Sequence, residues 1–166
     1  ACVALVAHPD DGRYQPLFGS TVRTPLYDVE VPVMAHELAQ PDKGTGIAMI
    51  CTFGDATDVT WWRELNLNMR PIIGRNGRIL ADPPDDVDPE AYATIAGLNI
   101  KQAQRTIVEQ LQASGELLGE ADPIQHPVKF YEKGDRPLEI VTSRQWYIRN
   151  GGRAADLRDA LVTRGD

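Results

Sequence analysis

The apolar residues of this chain come in short runs interrupted by proline, glycine and aspartate, and this pattern limits what the chain can fold into. Residues 2–7 (CVALVA) are apolar throughout and end in a Pro-Asp-Asp-Gly turn, which predicts a buried strand. Similar runs predict strands over 20–24, 28–34 and 47–53. Pro32 cannot donate a ladder hydrogen bond, so it predicts an edge strand or a bulge.

Helical periodicity is clearest over 97–113, where apolar residues recur on one face and Gly115 follows as a terminator. A shorter helix is predicted over 56–66 and a last one near 153–163. Further predicted elements are strands over 69–73, 78–80, 124–132 and 138–148, and an acidic, proline-rich loop over 82–90. Because strands come in groups rather than in strict alternation with helices, the predicted fold class is α+β.

The composition is that of one globular domain: 166 residues, of which 42% are hydrophobic and 25% charged. The net charge of −7 argues against non-specific phosphate-backbone binding, although a few basic residues could still hold an RNA. No apolar run approaches the roughly 18 residues of a membrane span, so we predict no membrane partner. Cys2 and Cys51 show no CxxC or zinc spacing, which favours two buried free thiols.

A possible metal site follows the first strand. His8, Asp10 and Asp11 are residue types that zinc accepts as ligands. The remaining ligand would have to be His36 or His126. The spelling resembles the AHPDDE motif of N-acetylglucosaminyl-deacetylase-like zinc hydrolases, except that glycine stands where that motif has its last acidic residue. The alternative is an Asx-type turn that ends the strand.

Two carboxylates come after the 47–53 strand, which a glycine turn at 44–46 introduces. Asp55 and Asp58 are three residues apart, so they lie on nearly the same side of the first turn of the predicted helix. One could hold an ammonium group while the other accepts a hydrogen bond from a hydroxyl. The alternative, which the residues alone favour, is that both cap and complement the start of the helix.

In their order and spacing, the motifs resemble the editing domain inserted into class I valyl-, isoleucyl- and leucyl-tRNA synthetases. The resemblance covers nearly the whole chain and rests on VAHPDDGRY at 6–14, the GTG turn, TFGDATDV at 52–59, ASGEL at 113–117, HPV at 126–128, PLE at 137–139 and SRQWY at 143–147. Aspartates three apart and the QWYIR ending suit the valyl type best. Thr52, Gly54 and Met49 depart from the family's proline, histidine and frequent valyl-type lysine.

The resemblance implies a mixed, partly barrel-like sheet with flanking helices, and hydrolysis of mischarged threonyl-tRNA(Val). Threonine and valine are nearly isosteric, and valyl enzymes are a known example of an apolar pocket that rejects such an analogue poorly. A second site must therefore recognise the threonine hydroxyl. A zinc-dependent deacetylase and a non-catalytic insertion module of a synthetase remain the alternatives.

By the same resemblance, Asp58 is the catalytic-site residue that anchors the substrate ammonium, and Asp55 contacts the threonine hydroxyl. Met49 and Cys51 line the pocket wall. The remaining implied substrate-binding residues are Thr52, Gly44, Thr45 and Gly46. A positioned water attacks the ester, which requires no metal or cofactor in this domain, whereas ATP and Mg serve the full-length synthetase.

The implied partners are tRNA(Val) carrying threonine and the rest of a cytoplasmic synthetase chain. Residues 1–150 are expected to form the editing domain, and 151–166 to begin the return to the catalytic domain. The chain starts inside an apolar run without methionine, so we expect it to be a piece of a longer protein. The family's threonine-rich segment is expected just before Ala1, and the chain is expected to be a weak deacylase without it.

Overall fold

The computed structural model describes residues 1–119, 129–135, 138, 140–146 and 154–165. Within them, a four-stranded mixed sheet has the order β2-β3-β1-β4. Its strands are β1 (Cys2–Ala7), β2 (Thr21–Arg23), β3 (Glu30–Ala35) and β4 (Ile47–Cys51). The helices are α1 (Ala56–Glu64), α2 (Pro89–Ala93), α3 (Ile100–Ser114) and α4 (Ala155–Gly165). The predicted α+β class with a mixed sheet is confirmed, and the sheet formed by these four strands is open rather than closed into a barrel.

Strand β1 is central and organises the sheet. It pairs with β3 in parallel and with β4 antiparallel, so that Leu5 lies opposite Val33 on one side and Met49 on the other. The expectation of an edge strand at Pro32 is wrong, because β3 lies between β2 and β1. The Val33 N–H donates to Ser20 O in the direction of β2, so by alternation the nitrogen of Pro32 faces β1. The parallel ladder accordingly starts at Val33, one residue after the missing donor.

Each face of the sheet packs against a different layer. On the α1 face, Ala4 and Val6 of β1 and Ile50 of β4 bury against Trp61 of α1. The α3 face consists of Val29, Val31, Ile79, Val87, Tyr92, Ile95 and Ala103, with Leu5 and Val22 packed against them. The sheet is therefore the middle layer, and β4 contributes alternate side chains to the two faces.

The helix ends follow local sequence signals. Asn99 and Gln102 form a reciprocal capping box at the start of α3, and Gly115 ends that helix with φ 75°. This confirms the predicted helix and its glycine terminator. Helix α2 begins within the segment that was predicted to be a loop, because Asp88 accepts the N–H groups of Glu90 and Ala91 and Pro89 suits the first helical position.

Four predicted strands are absent or reduced in the described residues. Instead of strands over 69–73 and 78–80, single bridges join Ile73 to Ile79 and Arg78 to Asn99. Pro71 removes one ladder donor from the first of these segments. Over 129–132, 138 and 140–146 there is no strand beyond a single bridge residue, Phe130, although the Leu138 N–H donates to Lys129 O at 2.8 Å. The rest of the predicted strands over 124–132 and 138–148 lies outside the described residues.

Candidate functional site

The chain leaves the sheet at the end of β4 through Thr52. Its hydroxyl Oγ1 accepts the N–H of Arg70 at 2.8 Å, and its own N–H donates to Ala1 O at 3.3 Å. The side chain is buried, which fits a residue whose single polar atom already has a partner. Thr52 therefore joins β4, the start of β1 and the segment around Arg70, at the point where the predicted site begins.

Asp55 is the N-cap of α1. Its Oδ1 accepts the N–H of Thr57 at 2.7 Å and the N–H of Asp58 at 3.0 Å, which satisfies two of the donors that a helix start leaves free. Asp55 is exposed to solvent. Both capping bonds end on the same oxygen, so Oδ2 is left to face solvent or a ligand.

Asp58 occupies a different environment one turn later. It is only 6% exposed, and its Oδ2 accepts the N–H of Gly54 at 2.7 Å. Burial raises the pKa of this carboxyl, the Gly54 hydrogen bond counteracts the rise, and the charge of Asp55 adds to it. A Cβ on Gly54 would lie 2.8 Å from Oδ2. The absence of a side chain at Gly54 thus permits this close approach.

Behind β4, on the α3 face, lies an apolar cavity of about 350 Å³. Met49 and Cys51 line it from β4, and Tyr27, Tyr92 and Ile107 line it from the opposite side. The remaining lining residues are Ala1, Cys2, Leu5, Val22, Arg23, Thr24, Pro25, Val29, Val31, Arg70, Ile72, Val87 and Ile95. Met49 and Cys51, which were predicted to line a pocket wall, are among the residues that line this cavity. Asp55, Asp58 and Thr52 are not.

Arg70 is a residue at this cavity that sequence reasoning missed. Its side chain is mostly buried, donates Nε–H to Asp86 Oδ1 at 3.0 Å, and pairs with Asp86 through Nη2 as well. A further bond goes from Nη1 to Cys2 O. The guanidinium holds the pKa of Asp86 below its usual range. Arg70 and Asp86 are 16 residues apart in the sequence, and no local sequence pattern links the arginine to the acidic loop.

The GTG turn packs against the turn after β1 rather than against the aspartates. Arg13 donates to Asp11 Oδ2 at 2.6 Å and to Pro41 O at 2.8 Å, and Tyr14 donates its hydroxyl to Thr45 O at 2.7 Å. Gly46 has φ 83°, and a Cβ there would lie 2.3 Å from Arg13 Nη2. Gly46 is therefore required by this contact.

The predicted substrate-binding residues thus fall at both ends of β4. Gly44, Thr45 and Gly46 precede the strand, while Asp55 and Asp58 follow it. At about 3.3 Å per residue, the strand separates the two groups by roughly 15–20 Å. The arrangement near Asp58 offers two carboxylates, one exposed and one buried, beside the strand end that carries Cys51.

The residues of the zinc alternative have other partners. His8 Nδ1 accepts the N–H of Asp10 at 3.2 Å, and Asp11 is engaged by Arg13. His36 Nε2 lies 2.7 Å from Glu64 Oε2. Across the described part of the chain, no three His, Cys, Asp or Glu side chains form a cluster that could hold a metal ion. His126 lies outside that part.

None of the helices in the described ranges is both long and apolar enough to cross a membrane.

No family model matches the chain, but individual proteins do. It is 68% identical to a valine--tRNA ligase of Thermobifida fusca (strain YX), over 99% of this chain and 19% of that protein. It is 66% identical to the valine--tRNA ligase of Leifsonia xyli subsp. xyli (strain CTCB07) and 63% identical to that of Salinispora arenicola (strain CNS-205). These two matches each cover 99% of this chain and 20% of the relative.

The chain therefore spans about one fifth of the length of the valine--tRNA ligases it matches. Similarity at this level over nearly the whole chain confirms the resemblance inferred from the motifs. The chain is a homologue of one segment of valyl-tRNA synthetases.

Proposed function

We propose that this chain is the editing domain of a valyl-tRNA synthetase and hydrolyses threonyl-tRNA(Val). The enzyme to which it belongs would join valine to tRNA(Val) with ATP and Mg. The observation that carries the proposal is the similarity to valine--tRNA ligases over a segment that places Asp55 and Asp58 at the helix start after β4, the strand that lines the cavity. The partners in this proposal are the mischarged tRNA and the rest of the synthetase.

The environments of the two carboxylates support different roles. Asp55 is exposed and keeps Oδ2 clear of its capping bonds, so this oxygen can accept a hydrogen bond from the threonine hydroxyl. Asp58 is buried, and a charge-assisted hydrogen bond to an ammonium group is stronger there than in water. An ammonium beside Asp58 would also favour its ionised form and oppose the effect of burial on its pKa.

Discrimination against valyl-tRNA(Val) follows from the Asp55 carboxylate. A threonine hydroxyl satisfies Asp55 Oδ2, whereas a valine methyl in its place would leave a carboxylate oxygen desolvated without a donor. The hydrolytic step needs a water held near the ester and does not need a side-chain nucleophile. We propose that this domain works without a metal or cofactor of its own.

The first test replaces Asp58 with alanine in the full-length synthetase. Loss of a charge-assisted hydrogen bond worth roughly 1.5–3 kcal/mol should slow hydrolysis of threonyl-tRNA(Val) by about tenfold or more. Valine activation, measured by ATP–pyrophosphate exchange, should stay at the wild-type rate. Wild-type deacylation by the variant would refute the role of Asp58, and absence of deacylation in the unaltered enzyme would favour a non-catalytic module.

Asp55 needs a control that separates substrate contact from capping. Asp88 caps α2 in the same way, by accepting two backbone N–H groups, so Asp55→Ala and Asp88→Ala remove matched caps. We expect only Asp55→Ala to slow threonine removal and to raise the relative hydrolysis of valyl-tRNA(Val). The measurement is the ratio of the two deacylation rates. An unchanged ratio would leave Asp55 with its capping role alone.

A further inference from the structure

The two cysteines of the chain face each other across neighbouring strands. The antiparallel register of β1 and β4 pairs Cys2 directly with Cys51. The Thr52 N–H donates to Ala1 O at 3.3 Å, which makes the adjacent Ala1–Thr52 pair the hydrogen-bonded one. Cys2 and Cys51 then form a non-hydrogen-bonded pair, in which Cα atoms lie about 4.5 Å apart. Disulfides accept Cα separations of about 4.4–6.8 Å.

Both thiols also point to the same side of the sheet. Side chains that lie directly opposite each other in an antiparallel pair share a face. Cys2 and Cys51 accordingly both line the apolar cavity on the α3 face, and both are free thiols that are only partly buried. The pair therefore has the separation, the direction and the access to small molecules that bond formation between two sulfurs requires.

We propose that Cys2 and Cys51 are a redox-sensitive pair that a hydroperoxide converts into a disulfide linking β1 to β4. One thiolate attacks the peroxide oxygen and becomes a sulfenic acid, and the peroxide O–O bond breaks to release hydroxide or alkoxide. The second thiol then attacks the sulfenic sulfur, which forms the S–S bond and releases water. The two sulfurs together lose two electrons, and the hydroperoxide accepts them. The proposal does not depend on the editing function.

The surroundings of the pair set how fast it reacts. Burial raises the pKa of both thiols, that of Cys51 to about 11, so the thiolate fraction at neutral pH is small. At neutral pH the pair therefore remains as two thiols, and it is oxidised slowly during prolonged exposure to a hydroperoxide. The cavity of about 350 Å³ is large enough to admit a hydroperoxide to both sulfurs.

The test uses the full-length protein that carries this chain, treated with hydrogen peroxide, then alkylated and digested with trypsin without reduction. The tryptic peptide that ends at Arg13 holds Cys2, and the peptide 44–63 holds Cys51. We expect these two peptides to appear joined, lighter by two hydrogens than their sum. Dithiothreitol should separate them again.

Two single variants make the result decisive. In Cys2→Ser and in Cys51→Ser, the remaining cysteine has no partner across the strands, so its reversible oxidation should fall several-fold below that in the unaltered protein. Differential alkylation before and after reduction measures this fraction. The proposal is overturned if either cysteine oxidises equally in the single variants, if either joins a different cysteine, or if both thiols survive the treatment.

Discussion

The two faces of the sheet are built from the same four strands but are packed differently. On the α1 face, Ile50 is 0% exposed and lies among Val6, Ala4 and Trp61. On the α3 face, Met49 is 58% exposed and borders a cavity of about 350 Å³. Adjacent residues of one strand therefore meet a filled core on one side and an open hollow on the other. Both faces carry buried apolar residues, but among the described residues beside β4 the α3 face keeps a space that a ligand or a small reagent can enter.

The strongest test of this difference shortens neighbouring side chains of β4. Ile50→Ala removes fully buried methylenes from a filled core and should cost about 2–5 kcal/mol in the free energy of unfolding. Met49→Ala is the matched control, and because its side chain is more than half exposed it should cost less than about 1 kcal/mol. Urea denaturation measures both values. Similar losses for the two variants would mean that the faces are packed alike.

Features of the fold that depend on neighbouring residues could be predicted from the sequence, whereas features that depend on residues distant in sequence could not. Strand β1 and helix α3 with its Gly115 terminator follow from local patterns, and both agree with the structure. The interior position of Pro32 was missed because it depends on which strands become neighbours. The pairing of Arg70 with Asp86 was missed because neither residue carries a local signal of the other.

The candidate site shows the same limit. The capping role of Asp55 follows from its position before a helical pattern, and the structure places it there. The burial of Asp58 against Gly54, by contrast, depends on how α1 sits on the end of β4. The sequence also grouped the GTG turn with the aspartates, whereas the fold packs that turn against Arg13 and Tyr14.

Adding a methylene tests the same comparison in the opposite direction. Val22 lines the cavity and is only partly buried, so Val22→Ile should place its new carbon in empty space and stabilise the fold by about 0.8 kcal/mol. Val6 lies in the filled core of the α1 face, so Val6→Ile should destabilise it by about 1–3 kcal/mol through overpacking. Both changes keep a β-branched residue in a strand. Urea denaturation measures the change in the free energy of unfolding for each variant. Changes of opposite sign support the comparison, and changes of the same sign contradict it.

The smallest expected effect is the pH dependence of the stability that Asp86 and Asp58 contribute. Arg70, which lines the cavity, lowers the pKa of its partner Asp86, so the unfolded chain binds the proton more readily than the folded one. The stabilisation from this pair is present above the ordinary carboxyl pKa of about 3.9 and is lost as the pH falls through the lower, folded value. The Asp86 side chain is 55% exposed, so its contribution is roughly 0.2–1 kcal/mol.

Asp58 should show the opposite dependence. Burial raises its pKa, so the folded state holds the proton more tightly, and its contribution to stability falls as the pH rises from about 3.9 through the folded value. We therefore expect Asp86→Asn to weaken the loss of stability in acid below about pH 3.9, and Asp58→Asn to remove a decline above it. Urea denaturation between about pH 2.5 and 6 measures both slopes, with Asp11 and its Arg13 partner left intact as the common background. If the two variants shift the profile in the same pH window, the carboxyl paired with Arg70 and the carboxyl at the start of α1 do not differ in the way their surroundings require.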